Sequence, residues 1–425
     1  MPPRKGRRPA AAVALAVAGL LFIARATLTP SPDPNGLAQL TPLWCLVCGD
    51  LGGSDVIANL VLFLPFAMGL RLAGLSWRRT VLIAAAVSLT VELLQLVAIP
   101  GRDASLSDLL TNTSSGAIGA ALASWLPRAT RPSPAQAARF LAAGTAAWVA
   151  MLATSAWLLS PAVESGALQS GWAGATGERD VFFGEIQQVR LDGVLMPRDG
   201  TPSDSADIRR RLAAGEFRLD AEVNSGGPVS YPSWIYKLKA GGINQLTLFQ
   251  LGRHAGVAVP IRAIGLRLRA ATVTLPAAFP DVAGRIVRLQ ASAAGGVITL
   301  RSTQGEVTRV IEFALSPAYG WRLISPFQMG IGNGVRWFTA LLLALSVLPL
   351  AYWGAWSKGW ARWVLPLGIT AGLVLPSAAA GFPPVHWSEW AAAAIGALAG
   401  WALQRGAAYL EGRCASLSAS DFSSS

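Results

Sequence analysis

The sequence predicts a polytopic α-helical membrane protein of about eight transmembrane helices, with an antiparallel β-sandwich inserted on its outer side. Three observations carry this. Hydrophobic residues make up 52% of the chain and charged residues 14%, a balance that few soluble proteins of 425 residues share. Apolar runs long enough to cross a bilayer occur at 10–28, 55–75, 80–99, 105–126, 138–160, 336–356, 363–381 and 387–404. Between the fifth and sixth runs, residues 165–330 are richer in charge and alternate in short stretches. The chain divides accordingly into five helices (1–160), the sandwich (165–330), three further helices (331–404) and a tail (405–425).

Charge sets the expected orientation. The net charge of +12 would suit a nucleic-acid partner if it were clustered, but it is not. Arg4, Lys5, Arg7 and Arg8 precede the first helix. Arg71, Arg78 and Arg79 follow the second, Arg128, Arg131 and Arg139 the fourth, Lys358 and Arg362 the sixth, and Arg405 and Arg413 the last. The loops 29–53 and 381–388 carry no Lys or Arg. This alternation predicts both termini in the cytoplasm and the sandwich outside a bacterial inner membrane, with membrane lipids as partners and no nucleic acid. Arg102 breaks the pattern, so a local role is expected of it. The N-terminal basic stretch, apolar run and Ala24-Arg25-Ala26 also read as a cleavable signal, which would leave the remaining topology unchanged. Cys45 and Cys48 form a C-x-x-C in the first outer loop, where a disulfide, a redox pair or idle thiols all fit. Metal binding by this pair would need further partners, and the chain has just two histidines, His254 and His386; no cofactor motif is present.

Polar residues inside three of the apolar runs are the main functional signal. They are Asp55 and Asn59; Ser88, Glu92 and Gln95; and, after Gly101-Arg102, Asp108 and Asn112. A charge within a bilayer costs roughly 2.5–3.5 kcal/mol, so such residues are functional candidates by default. Asp55/Asn59, Ser88/Glu92 and Asp108/Asn112 are each four residues apart and Glu92/Gln95 three, so each pair shares a helix face. At a rise of about 1.5 Å per residue, Glu92 and Asn112 lie about 10 Å from their outer helix ends and Asn59 about 6 Å. Asp55, Arg102 and Asp108 lie above them. If these helices touch, a layered polar pocket opens outward; the same groups would equally serve as bundle glue. Ser115, Gly116, Gly119 and Ala120 permit close approach, and Pro65 kinks the second helix.

These residues resemble the VanZ-like family of bacterial membrane proteins over 40–127. The resemblance rests on Asp55, Asn59 and Leu64-Pro65-Phe66; on Ser88, Glu92 and Gln95; on Gly101-Arg102; and on Ser107-Asp108, Asn112, Gly116 and Gly119. Asn112-Thr-Ser-Ser-Gly116 is slightly longer than the Asn-x-x-Gly of many members. The family is named for a protein linked to resistance toward teicoplanin. The resemblance implies a cell-envelope role and no particular reaction.

Within the insert, Phe217–Val223, Gln245–Leu251, Arg285–Gln290 and Val297–Arg301 alternate as strands, separated by Gly226-Gly-Pro228, Gly241-Gly242, Ala283-Gly284 and Gly295-Gly296. A short helix is expected over Ser205–Ala214. The passage Leu212-Ala-Ala-Gly215-Glu-Phe217-Arg-Leu219 resembles the entry to a concanavalin A-like, laminin-G-type jelly roll, which implies possible glycan binding. Tyr231, Trp234, Tyr236 and Trp321 offer either sugar-stacking surfaces or core packing.

The last three helices repeat the orientation of the second to fourth. His386-Trp-Ser388-Glu389 followed by Gly396 and Gly400 echoes Ser107-Asp108 followed by Gly116 and Gly119, although helix 363–381 has no counterpart of Glu92 or Gln95. Three functions fit the sequence. The pocket handles a lipid-linked or amphiphilic envelope molecule or a glycopeptide-type antibiotic; paired carboxylates make it a membrane hydrolase; or the sandwich is a membrane-anchored, glycan-binding adhesin or sensor.

Overall fold

The computed structural model describes residues 7–30, 43–47, 49, 51–102, 104–174, 182–325 and 333–422. Two compact units result. The first is built from helices α1 (Arg7–Thr27), α2 (Gly52–Leu62), α3 (Leu64–Leu72), α4 (Trp77–Ala98) and α5 (Leu106–Thr130). The second contains α6 (Pro134–Leu159) from Leu141 onward, the sandwich, α8 (Asn333–Trp356), α9 (Val364–Ala379) and α10 (Trp387–Phe422) as far as Ala402.

All eight apolar runs are helical. Five of the resulting spans are long and apolar enough to cross a membrane: Ala10–Thr27, Gly52–Leu72, Trp77–Ala98, Pro134–Leu159 and Val335–Trp356. The other three fall short for separate reasons. Helix α9 has 16 residues, about 24 Å at the usual rise, against a core of about 30 Å. Helix α5 is diluted by Ser107, Asp108, Thr111, Asn112 and the Thr-Ser-Ser that follows. Helix α10 opens on Ser388 and Glu389.

In the first unit the helices are inside out relative to a water-soluble bundle. Leu82, Leu89, Leu93 and Leu96 of α4 are exposed, whereas Ser88, Glu92 and Gln95 are buried. An apolar exterior around a polar seam suits lipid as solvent. The second apolar run breaks at Phe63, and Pro65 enters the first turn of α3, where its missing N–H costs nothing. Small residues set the helix spacing. A Cβ on Gly119 would lie 2.9 Å from the Leu64 carbonyl oxygen, and one on Gly69 would lie 2.7 Å from Ala16 Cα. Phe63, Phe66, Ala16, Ile23, Ala84 and Val91 fill the core between them.

The insert is an antiparallel β-sandwich. Its strands are β1 (Leu168–Trp172), β2 (Glu185–Leu191), β3 (Val194–Leu195), β4 (Asp199–Gly200), β5 (Phe217–Asn224), β6 (Val229–Ala240), β7 (Ile243–Gly252), β8 (His254–Val259), β9 (Ala271–Leu275), β10 (Ile286–Ala294), β11 (Val297–Gln304) and β12 (Val307–Ala314). One sheet runs β4-β1-β6-β7-β8-β9 and the other β12-β11-β10-β5-β2-β3. Helix α7 (Ser205–Ala214) lies between β4 and β5 and ends at Gly215, whose φ of 74° is the left-handed conformation of a glycine helix stop. The four strands expected from alternation are β5, β7, β10 and β11. Strand β6 shows no simple alternation at its start, since it contains Pro232 and its pairing with β7 shifts register between Val229 and Ser233.

Two of the proposed sugar-stacking aromatics are core residues. Trp234 is 4% exposed and Tyr236 fully buried. Along β6, Tyr236, Leu238 and Ala240 point inward while Lys237 and Lys239 point outward, so the period of two consigns the ring to the core. Trp321 is engaged too: its indole N–H donates to Thr339 Oγ1 at 2.9 Å, and its ring meets Phe338 edge-on. The Tyr231 side chain lies outside the described residues.

In the second unit, Leu141, Trp148 and Leu152 of α6 pack with Leu343, Val347 and Leu350 of α8, Leu373 of α9 and Ala392 and Ala393 of α10.

Replacing Gly119 by Leu should lower the melting temperature of the detergent-solubilised protein. The obstacle is backbone and cannot rotate away, so a destabilisation of about 1–3 kcal/mol is expected. An unchanged melt would show that α3 and α5 are not in contact there.

Candidate functional site

Helix α5 begins with a short loop whose polar groups need partners. Gly101 turns that loop with φ of 73°. Ser105 is the N-cap, and its Oγ accepts the Ser107 amide at 3.1 Å. The sequence Ser105-x-x-Asp108 has the form of a capping box, in which the fourth residue would accept the amide of the first. Here the box is divided between helices. The Ser105 amide donates instead to Glu92 Oε2 of α4 at 2.7 Å. Asp108 is released to accept from Asn59 Nδ2 of α2 at 2.8 Å. Both carboxylates therefore sit at the positive end of α5, where a helix favours anions.

One turn further along α4, Gln95 Nε2 donates to the Thr27 carbonyl at the C-terminal end of α1, at 3.0 Å. Arg102 serves the same end. Its Nε donates to Thr29 O at 3.2 Å and its Nη2 to Ala26 O at 3.1 Å. A guanidinium among the last carbonyls of a helix is favourable on charge as well as hydrogen bonding. Deeper in the bundle, Asn112 Nδ2 donates to Ser88 Oγ at 3.1 Å and ties α5 to α4. Beside it a Cβ on Gly116 would lie 2.5 Å from Ala84 Cβ, so the two helices are nearly in backbone contact.

Asp55 acts electrostatically on Asp108 as a like charge, and Arg102 as an opposite one. Exposure falls from Asp55 and Arg102, through half-buried Asn59 and Asp108, to buried Glu92, Gln95, Ser88 and Asn112. The eight candidates thus come from α2, α4, α5 and the loop before α5; Asn59–Asp108, Ser105–Glu92 and Asn112–Ser88 are separate contacts, and Gln95 and Arg102 both reach the end of α1. Three buried side-chain atoms of α4 and α5 have no partner among the described residues: Gln95 Oε1, Asn112 Oδ1 and Ser115 Oγ. Among the described residues, no three His, Cys, Asp or Glu gather in a metal-binding arrangement, so Asp55, Glu92 and Asp108 do not form one.

Sequence reasoning did not anticipate the role of α1 or of the loop over α5. The Leu106 amide donates to Leu43 O at 2.9 Å, and Ser107 Oγ donates to Leu46 O at 2.7 Å. Cys45, between them, is disulfide-bonded, and Cys48 lies outside the described residues. Backbone carbonyls leave no trace in a residue pattern, which is why these contacts were not visible.

Residues 14–127 match the VanZ/LLP1 family model. They form a VanZ-like domain. The match begins 26 residues before the resemblance read from motifs, at 14 rather than 40, and so takes in α1, the helix that Gln95 and Arg102 cap. Together with the apolar helices it points to a membrane protein of the envelope. No curated protein and no solved structure matches the chain.

A second polar feature lies on the outer face of the sandwich. Two rungs cross four strands of one sheet: Gln188, Glu222, Arg288 and Thr303, and Arg190, Asp220, Gln290 and Arg301. They line a groove of about 280 Å³. Arg288 Nε pairs with Glu222 Oε2 at 3.0 Å, and Gln290 Nε2 donates to Asp220 Oδ1 at 2.8 Å.

Glu92→Ala should destabilise the protein by about 1–3 kcal/mol, because the Ser105 amide loses its acceptor. Glu92→Gln, which keeps an oxygen there, should cost less. Thermal melts of the two variants in one detergent give the order, and an equal loss would mean that the acceptor atom is not what matters.

Proposed function

We propose that the VanZ-like domain binds the polar head of a lipid-linked or amphiphilic envelope molecule, glycopeptide-type antibiotics included, in an outward-facing site formed by Asp55, Asn59, Ser88, Glu92, Gln95, Asp108 and Asn112. The supporting observation is a pair of buried acceptors held among these residues. Eight polar residues come from separate elements, yet Gln95 Oε1 and Asn112 Oδ1 are buried without partners among the described residues. Buried polar atoms normally find partners, and an orphan of this kind calls for an explanation such as a ligand or a water. Asp55, Glu92 and Asp108 supply charge or exchange protons, and Asn59, Gln95 and Asn112 orient the head group. Arg102, with Nε and Nη2 committed to α1, holds the rim. In this reading α5, α9 and α10 also cross the bilayer, both termini are cytoplasmic and the sandwich lies outside.

A thermal-shift screen of the solubilised protein against envelope lipids, lipid-linked cell-wall precursors and teicoplanin-type lipoglycopeptides tests the reading. A shift of several degrees in the wild type that Glu92→Gln/Asp108→Asn loses is expected. An equal shift in both would move binding away from these residues.

A second reading has its own support. The sandwich, taken as a concanavalin A-like domain, binds a glycan in the groove between Arg190 and Arg301, where amide, carboxylate and guanidinium planes offer hydrogen bonds to hydroxyls. Asp220→Ala/Gln290→Ala should then abolish retention on immobilised cell-wall glycan by the intact protein; retention by the variant equal to wild type would end this reading.

A further inference from the structure

The helical part of the second unit repeats the first at one constant spacing. Adding 281 to a residue number carries the start of α2, Gly52, onto the start of α8, Asn333. It carries the end of α4, Ala98, onto the end of α9, Ala379, and the start of α5, Leu106, onto the start of α10, Trp387. The cap before α4, Ser76, falls on Ser357, and Ser107-Asp108 falls on Ser388-Glu389. No gap is needed across three helical segments and the two loops that join them.

Buried faces coincide under the same spacing. Leu62 corresponds to Leu343, Phe66 to Val347 and Val91 to Gly372, all buried, and the glycine at 119 to the glycine at 400. The neighbouring helix also corresponds. Helix α1 crosses the α2–α3 segment at Gly69, and α6 crosses α8 at Leu350, the position equivalent to Gly69, where a Cβ on Gly144 would lie 2.7 Å from Leu350 Cδ2. The long connection comes at the same place in each set: residues 28–51 before α2, and the sandwich before α8. In both, that connection meets the start of the last helix. Leu46 O accepts from Ser107 in the first, and Ser316 Oγ donates to Glu389 Oε2 at 2.9 Å in the second.

The polar residues do not repeat. Asn59 becomes Ala340, Ser88 Ile369, Glu92 Leu373, Gln95 Pro376 and Asn112 Ala393. The same frame is therefore held together without them. Glu389 is the acid retained, and it seats the end of the sandwich.

We infer that α6, α8, α9 and α10 are a second copy of the helical unit made by α1 to α5, and that in the first copy the amides of Gln95 and Asn112, beyond their ties to Thr27 and Ser88, present acceptors to a hydrogen-bond-donating ligand. This rests on the binding reading above and narrows its ligand. The unpartnered Gln95 Oε1 and Asn112 Oδ1 are acceptors, and the neighbouring carboxylates of Glu92 and Asp108 accept as well. A head group bearing hydroxyls or an ammonium matches that row; a quaternary ammonium with no N–H or O–H does not.

The test uses the full-length protein in detergent and the variant Ser88→Ala/Asn112→Ala, which removes both partners of one buried hydrogen bond, brings the second-copy residue to position 112 and leaves the Glu92 acceptor of the Ser105 amide in place. The probes are phosphatidylethanolamine, phosphatidylglycerol and, lacking donors, phosphatidylcholine. The variant is expected to melt within about 5 °C of wild type. Phosphatidylethanolamine or phosphatidylglycerol is expected to raise the wild-type melting temperature, phosphatidylcholine not, and the variant is expected to respond to none. A variant that aggregates or melts far below wild type overturns the inference, since α4 and α5 would then need the Ser88–Asn112 contact that the second copy lacks; if it does not express, Asn112→Ala alone decides the same question. A wild-type response to phosphatidylcholine equal to the others overturns the donor requirement. A normal melt of the variant, with no wild-type response to any probe, overturns the binding reading while leaving the two copies in place.

Discussion

A helix that ends in apolar surroundings must find partners for its last carbonyls or first amides, and the first unit is organised around two such ends. The C-terminal carbonyls of α1 and the N-terminal amides of α5 are both served from α4 or the loop that follows it. Glu92 and Gln95, on one face of α4, reach in opposite directions along the chain. Through them the loop 99–105, the close α4–α5 contact at Gly116 and the placement of α1 become parts of one arrangement. Removing a single acceptor would expose a helix end, so these groups carry a structural duty alongside any other.

The second unit meets the same demand with fewer polar groups. His386 Nδ1 accepts the Ser388 amide at 3.3 Å, and Glu389 takes the Ser316 hydroxyl. Around that junction Arg336 hydrogen-bonds Tyr319, whose phenol is pushed up from its ordinary pKa by burial and then by Glu389. Arg322, lowered to about 10 by burial, donates to the Thr272 carbonyl at 3.0 Å. The end of the sandwich is thus held to α8 and α10 by a compact set of charged and hydroxyl side chains. The sandwich is thereby tied to these helices by side chains as well as by the chain itself.

Much of this was legible in the chain. Every apolar run became a helix, because a long run of apolar side chains has few other ways to satisfy its backbone in lipid. The pairs Ser88/Glu92 and Asp108/Asn112 share faces as their spacing requires. Less was legible in the sandwich. Alternation revealed β5, β7, β10 and β11, whereas β6 was obscured by Pro232 and its register shifts, and β3 and β4 are two residues each. Aromatic content alone did not distinguish a sugar platform from a core, since the decision for Trp234 and Tyr236 lay in which face of β6 met the second sheet.

What the sequence by itself determined are the local quantities: where helices run, which side chains share a face, which glycines allow close approach, and that several polar groups lie at similar distances from helix ends. These follow from the 3.6- and 2-residue periods of the backbone, which any short stretch of chain contains. What only the tertiary structure decided are the partners. Asn59 finds Asp108 across 49 positions, Gln95 finds Thr27 across 68, and Arg102 finds Ala26 across 76. Asp108 forgoes the capping box that its own spacing offers because Glu92 of another helix already fills that place. Such choices depend on which helices are adjacent and at what distance, and packing sets both.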